Sequence, residues 1–312
     1  MTTTTTPAPT LRGGTRKSRL ARWQTARVMD ALRQSVGARC EEVPISTEGD
    51  RVLDRPLPEI GGKGVFTEAL ETALRERTID FAVHSLKDLP VEIAGDLVIA
   101  AVYERADPRD VLIARGGRTL ATLPGGATVA TSSTRRIAQL RAARPDLRIA
   151  PLRGNVDTRV RRALAGEYDA IVIAAAGVER LGLQGAITEY LPFEVMLPAP
   201  GQGALAIQCR ASDVATRALI ASLDDPIARA TTTAERAFLA ALGGGCAAPI
   251  AALGEVRGTG ATARLHVRGL VASLDGGRVV RVSGDAVPDA ALDLAGRLAR
   301  QATALGAGSL LC

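Results

Sequence analysis

Thr128-Val129-Ala130-Thr131-Ser132-Ser133-Thr134-Arg135-Arg136-Ile137-Ala138 decides the fold. Its first four residues form a short apolar, β-branched run, and residues 134–143 continue as a helical pattern. The stretch is a strand that turns through two serines into a helix. The same unit recurs on both sides. Strand-like runs at 111–114, 149–152 and 169–176 alternate with helical patterns at 156–165 and 178–183. Upstream, Leu20, Trp23, Ala26, Val28, Met29 and Leu32 make a helical stripe within 18–36. A further helix is expected at 66–75 and buried strands at 80–85 and 97–103. A strand at 204–209 returns to the first half. Strand–helix alternation in two successive halves predicts two α/β domains facing across a cleft. Residues 227–242 are amphipathic and lead to alternating strands within 262–274 and 279–282, then a helix at 290–302. That is a small α+β C-terminal domain. The expected organisation is a disordered Thr/Pro tail at 1–10, domain 1 at 11–103 with 204–221, domain 2 at 109–197 and domain 3 at 226–312. Residues 45–64, with Gly49, Pro56, Pro58, Gly61, Gly62 and Gly64, are expected to form a mobile lid in domain 1. No internal sequence repeat is evident.

The bulk numbers narrow the chemistry. With 312 residues, 46% of them hydrophobic, real cores are affordable. Four cysteines (Cys40, Cys209, Cys246, Cys312) lack CxxC spacing, and the two histidines, His84 and His266, lie far apart. Neither a disulfide framework, a zinc site nor a Ser-His-Asp triad is indicated, and no metal is expected. The N-terminal run has no apolar signal region and no stretch approaches a membrane span, so the expectation is a soluble, cytoplasmic protein that uses no membrane. The net charge of +6 invites a nucleic-acid partner, but aromatics are only 3% and the basic residues are dispersed. A small polyanion accounts for the surplus equally well, because arginine forks match carboxylates.

Three segments place cations where strands end. His84-Ser85-Leu86-Lys87-Asp88-Leu89-Pro90 follows a strand, where α/β proteins bind ligands, although a solvated charge pair is the plain reading of Lys87 and Asp88. Thr131 to Arg136 offers helix N-terminal amides, hydroxyls and two guanidiniums to an anion, against ordinary capping with surface arginines. Leu152-Arg153-Gly154-Asn155-Val156-Asp157-Thr158-Arg159 repeats the arrangement. Gly61-Gly62-Lys63-Gly64 lacks Walker spacing. Cys246 follows Gly243-Gly244-Gly245 at the end of a helix. A buried apolar cysteine is the default there. A helix C-terminus does not favour a thiolate, so the alternative is a thiol alkylated once, a tether and not a turnover nucleophile.

Taken in order, these motifs resemble the porphobilinogen deaminase family, also called hydroxymethylbilane synthases. The likeness begins at Gly14-Thr15-Arg16-Lys17-Ser18 and runs through Gly61 to Phe66, His84 to Pro90 and Glu104 to Asp110. It continues through the Ser-Ser-Thr-Arg-Arg and Leu-Arg-Gly-Asn turns, Gly166 to Ala170, Arg180 to Leu183 and Pro198 to Ala204. It is dense over about 11–249 and loose beyond. The resemblance implies a monomeric three-domain fold whose first two domains are periplasmic-binding-protein-like. It implies a dipyrromethane cofactor joined by a thioether to Cys246. Four porphobilinogens are then deaminated and joined head to tail, and hydroxymethylbilane passes to uroporphyrinogen-III synthase. It implies that Asp88 is the main catalytic group. The positions matching the family's cofactor and substrate contacts are Arg16, Ser18, Lys63, Ser85, Lys87, Ser133, Arg135, Arg136, Arg153, Arg159 and Gln202. The chain departs from relatives at Gly243, where Glu is common, at Glu59 in the lid, and at Asp157 in the arginine-rich turn.

The chemistry agrees with these residue types. Each porphobilinogen brings an acetate and a propionate, which call for many arginines. Loss of ammonia leaves a cationic azafulvene that a carboxylate stabilises. Two other functions remain open on composition: a non-catalytic two-lobed binding protein for small polycarboxylates, and a basic nucleic-acid-binding protein. The first would need neither Cys246 nor Asp88; the second lacks aromatics and any nucleic-acid motif.

Overall fold

The computed structural model describes residues 10–47, 67–245 and 248–311. The expected tail up to residue 9, most of the expected lid with Lys63, and Cys246 lie outside the described residues. The elements are labelled in chain order: β1 (Thr10–Arg16), α1 (Arg19–Val36), β2 (Arg39–Ile45), α2 (Glu68–Arg75), β3 (Phe81–Ser85) and β4 (Leu97–Tyr103). Then come β5 (Asp110–Ala114), β6 (Thr128–Ala130), α3 (Thr134–Ala143), β7 (Arg148–Ala150), α4 (Val156–Leu164), β8 (Ala170–Ala174), α5 (Ala175–Arg180) and β9 (Glu189–Tyr190). The last are β10 (Leu205–Arg210), α6 (Val214–Ala221), α7 (Pro226–Ala241), β11 (Ile250–Arg257), β12 (Arg264–Ala272), β13 (Val279–Ala286) and α8 (Ala291–Ala304).

The chain divides into two compact units. The first comprises Met1–His84, Glu92–Tyr103 and Leu205–Asp225. Its sheet has the order β2-β1-β3-β10-β4, with β1 parallel to β2 and β3, and β10 antiparallel to β4. Helix α1 starts at Ser18, whose hydroxyl accepts from Ala21 N at 3.3 Å, and stops at Gly37 in the left-handed region (φ 68°). Its stripe of Val28, Met29 and Leu32 packs with Phe81, Val83, Leu205 and Ile207. Gly13 in β1 is needed for that packing, since a Cβ there would lie 2.6 Å from the Phe81 ring.

The second unit comprises Ser85–Val91, Glu104–Ala204 and Pro226–Cys312. Its five-stranded sheet has the order β7-β6-β8-β5-β9, with β6 parallel to β7 and β8, and β5 antiparallel to β8 and β9. This is the first sheet's arrangement again, although no sequence repeat announces it. In each sheet the fourth place is taken by a strand from a distant part of the unit's chain order: β10 in the first, β5 in the second. The antiparallel meander β11-β12-β13 carries α7 and α8 around Phe238, Val267, Leu294 and Leu298. Ala138 of α3 packs with Leu197, Ala251, Leu253 and Leu270, joining this meander to the second sheet.

Two sequence expectations shift. The run at 169–176 is a strand only to Ala174, and the helix expected at 178–183 is Ala175–Arg180. Ala175, Ala176, Gly177 and Val178 are all buried, so no periodicity marks the change of state. Helix α6 and strand β11 were not anticipated from the sequence.

Candidate functional site

Strand β3 ends at Ser85, and Leu86–Asp88 form a single 3-10 turn. Asp88 therefore stands on the turn and not at the strand end expected from sequence, and it is exposed. Leu86 and Leu89 anchor the turn, each only 1% exposed, and the alternation leaves Lys87 and Asp88 outside the apolar layer. Leu86 N donates to Ala204 O (3.0 Å) and Leu89 N to Leu86 O (3.2 Å). The Arg236 guanidinium donates to the carbonyls of Leu86, Leu89, Pro90 and Val91.

Arg135 and Arg136 open α3, and both are buried. Their partner is Asp110, the first residue of β5, which is 0% exposed. Arg135 Nη1 donates to Asp110 Oδ2 (2.7 Å); Arg136 Nε (3.0 Å) and Nη2 (2.7 Å) donate to Oδ1. Gln202 Nε2 also donates to Oδ1 (2.9 Å), and Gln202 Oε1 accepts from Lys87 Nζ (3.2 Å). Burial alone would raise the Asp110 pKa, but the two guanidiniums outweigh it and hold the carboxyl well below its ordinary range. Asp110 thus links three of the expected binding residues, and sequence reasoning did not single it out. The available signal was a charged residue opening the otherwise apolar run Val111-Leu112-Ile113-Ala114.

Ser132 ties the other arginine turn in place: its hydroxyl donates to Leu152 O (3.1 Å) and accepts from Leu152 N (2.9 Å). Arg153 follows directly. Gly154 at φ 108° turns the chain into α4, and Arg159 Nε donates to Gly154 O (2.7 Å). Ser133 occupies the N-cap position of α3 without a side-chain cap bond. The electrostatics show how these groups crowd. Burial, and then the charge of Arg136, pull Arg159 down to about 10, with Asp88 opposing. Burial pulls Lys87 down to about 8; Asp88 and Asp110 resist, while Arg136 and Arg135 add to the depression. The cations outnumber the carboxylates that could neutralise them. Buried Arg135 Nε also has no hydrogen-bond partner.

Helix α7 braces the neighbouring Pro200-Gly201-Gln202 turn. Glu235, 0% exposed, accepts from Gly201 N (2.7 Å), Gly254 N (2.7 Å) and Arg105 Nη2 (3.0 Å). The helix ends as the glycines predict. Gly243, at φ 66°, donates to Ala240 O and Gly244 to Leu239 O. The left-handed backbone gives Gly243 a conformational reason at this position.

In the first unit, Arg16 ends β1 and Ser18 caps α1. His84 is buried on β3, where burial first, and then the Arg16 charge, lower its pKa to about 4 against a hydrogen bond with Gln208. In the second unit Ser85, Lys87, Asp88, Ser133, Arg135, Arg136, Arg153, Arg159 and Gln202 belong to one compact body. Among the described residues no His/Cys/Asp/Glu group could hold a metal ion, and no helix is long and apolar enough to cross a membrane.

Guanidiniums, an ammonium and hydroxyls on an α/β scaffold are the donor types that match carboxylates. Residues 11–218 match the family model "Porphobilinogen deaminase, dipyromethane cofactor binding domain" and residues 229–304 match "Porphobilinogen deaminase, C-terminal domain". The chain is 52% identical over 269 residues to the porphobilinogen deaminase of Roseiflexus sp. (strain RS-1), covering 86% of this chain and 87% of that one. It is 48% identical over 310 residues to porphobilinogen deaminase 1 of Streptomyces coelicolor, covering 96% and 97%. A periplasmic substrate-binding protein of an ABC transporter from Coxiella burnetii aligns with 69% of this chain and 92% of its own, at 15% identity and TM-score 0.44. The chain belongs to the porphobilinogen deaminase family. It is a transferase of porphyrin biosynthesis that acts on porphobilinogen with a dipyrromethane cofactor.

Proposed function

We propose that Asp88 is the catalytic carboxylate of this hydroxymethylbilane synthase and Cys246 the point where its cofactor is attached. The reaction deaminates four porphobilinogens, joins them head to tail and releases hydroxymethylbilane and ammonia. The observation that carries the residue assignment is an exposed carboxylate, Asp88, among cations whose own pKa values are depressed, first by burial and then by neighbouring arginine charge.

The donor set fits the dipyrromethane group. That group carries carboxylate arms, and the second unit supplies Lys87, Arg135, Arg136, Arg153 and Arg159, with an unpartnered buried N–H on Arg135. Ser85, Ser133 and Gln202 add neutral donors beside them, and Arg16, Ser18 and Lys63 are assigned to the same binding role. When bound, the cofactor supplies the pyrrole end to which substrate units are added. Asp88 accepts from pyrrole N–H and stabilises the positive charge that develops on the substrate as ammonia leaves. At about 4 Å and an effective dielectric near 20, such a pair is worth roughly 4 kcal/mol. Realised only in the transition state, that is on the order of a thousandfold in rate. Lys87 and the arginines neutralise the incoming acetates and propionates, so the second unit holds chain carboxylates while Asp88 handles the cation. We assign the enzyme to the cytoplasm as a monomer whose product passes to uroporphyrinogen-III synthase.

Single-turnover ammonia release tests the catalytic assignment. Asp88→Asn keeps shape and loses charge, and should slow release by about a thousandfold, whereas Asp88→Glu retains part of the rate. An Asn variant as fast as wild type would refute it. Intact mass tests the tether: Cys246→Ala should be bare polypeptide, and a persisting adduct would move the attachment elsewhere.

A further inference from the structure

The turn that carries Asp88 is weak by itself. Three residues of 3-10 helix have poor hydrogen-bond geometry, and Pro90 brings no N–H. The turn's own backbone bond, Leu89 N to Leu86 O, is 3.2 Å long. What closes it is a side chain from α7. Arg236 Nη1 donates to Leu86 O (3.3 Å) and Leu89 O (3.1 Å), and Nη2 to Pro90 O (2.5 Å) and Val91 O (3.2 Å). These carbonyls bracket Lys87 and Asp88 on both sides. The neighbouring Glu235 holds Gly201 N, and Gln202, one residue on, accepts from Lys87 Nζ. One turn of α7 therefore fixes the backbone beneath Asp88 and, through Gln202, the head of Lys87.

Resting on the reading of Asp88 as the catalytic carboxylate, we propose that Arg236 is a positioning residue that sets where that carboxylate stands. Its guanidinium is committed to backbone carbonyls, so it acts through the turn and needs no contact with substrate. The planar fork matters, because a lysine ammonium is a point donor that cannot span four carbonyls in one geometry. Displacing a catalytic group by about 1 Å can lose on the order of a hundredfold in rate.

The test is a double-mutant cycle on the cofactor-loaded enzyme, read by single-turnover ammonia release, KM, intact mass and amide hydrogen exchange. Arg236→Gln should lower the rate by about a hundredfold with KM little changed and cofactor retained. Exchange at the Leu89 amide should rise by about tenfold or more as the turn loosens. Arg236→Lys should recover part of the loss, and it replaces the Gln variant in the cycle if that variant does not fold. In an Asp88→Asn background the further loss should be less than about threefold, because no charge remains to be positioned. Losses that multiply fully in the double variant would overturn the inference, as would an unchanged rate or unchanged Leu89 exchange. A fast Asp88→Asn enzyme, measured first and alone, would instead remove the catalytic reading, and the inference with it.

Discussion

Asp110→Asn is the most informative single change in the second unit. Asp110 is wholly buried and accepts from Arg135, twice from Arg136, and from Gln202, all at 2.7–3.0 Å. Asparagine retains one acceptor oxygen but turns an amide N–H toward a guanidinium, so donor faces donor and two buried cations lose their counter-ion. Breaking a buried ion pair from one side destabilises by about 3–5 kcal/mol. At about 2–4 °C per kcal/mol for a body of this size, about 4 kcal/mol lowers Tm by roughly 8–16 °C. The pH dependence has a definite sign. The folded Asp110 pKa lies below the ordinary 3.8, so its stabilisation is present above that value and is lost as pH falls toward the folded one. Scanning calorimetry of wild type and variant at pH 7 and in acid reads both effects: a wide gap at neutral pH that narrows only on strong acidification. A variant melting within about 2 °C of wild type at pH 7 would show that Arg135 and Arg136 do not depend on Asp110.

Lys87, depressed to about 8 by burial, is a cation below that pH and loses its charge above it. Porphobilinogen binding should weaken as pH rises through about 8, and Lys87→Arg should abolish that inflection in the KM profile; an unchanged inflection would exonerate Lys87. His84 has a folded pKa of about 4 against an ordinary 6.5, so stability is intact above 6.5 and falls as pH drops toward 4. The loss amounts to about 3 kcal/mol, and urea titrations should find that slope absent in His84→Gln. Gly203 has φ 91°, and a Cβ there would meet Ala106 O at 2.3 Å. Gly203→Ala should destabilise by more than about 2 kcal/mol in a thermal melt, and a wild-type Tm would show that the turn yields easily.

The periodic parts of the fold were legible from sequence. Helix α3 runs over the residues its apolar spacing predicts, and β4 fills the continuous apolar run expected as a buried strand at 97–103. Where everything is buried the period disappears, hence the misplaced start of α5. The site was legible in a different sense. Strand ends and glycine turns drew attention to Lys87, Asp88, Arg135 and Arg153. Asp110, Glu235 and Arg236 were not seen, because what they do depends on backbone and side-chain partners far away in sequence. On a helical wheel Glu235 and Arg236 are merely two charges on α7; their bonds to Gly201, Gly254 and the carbonyls of Leu86–Val91 exist only once the chain has folded.

Strand β10 lies between β3 and β4 in the first sheet. On the ribosome, residues 97–103 emerge with no sheet neighbour and must wait for Leu205–Arg210. That is about a hundred residues of further synthesis, or roughly 5–20 s at an elongation rate of about 5–20 residues per second. Meanwhile β3 shows an open edge, the kind of surface that invites pairing with another chain. The second sheet draws all its strands from Asp110–Tyr190 and is complete before β10 is made. Translation therefore finishes the later sheet first and leaves the earlier one incomplete, with β3 open at its edge until Leu205–Arg210 is made.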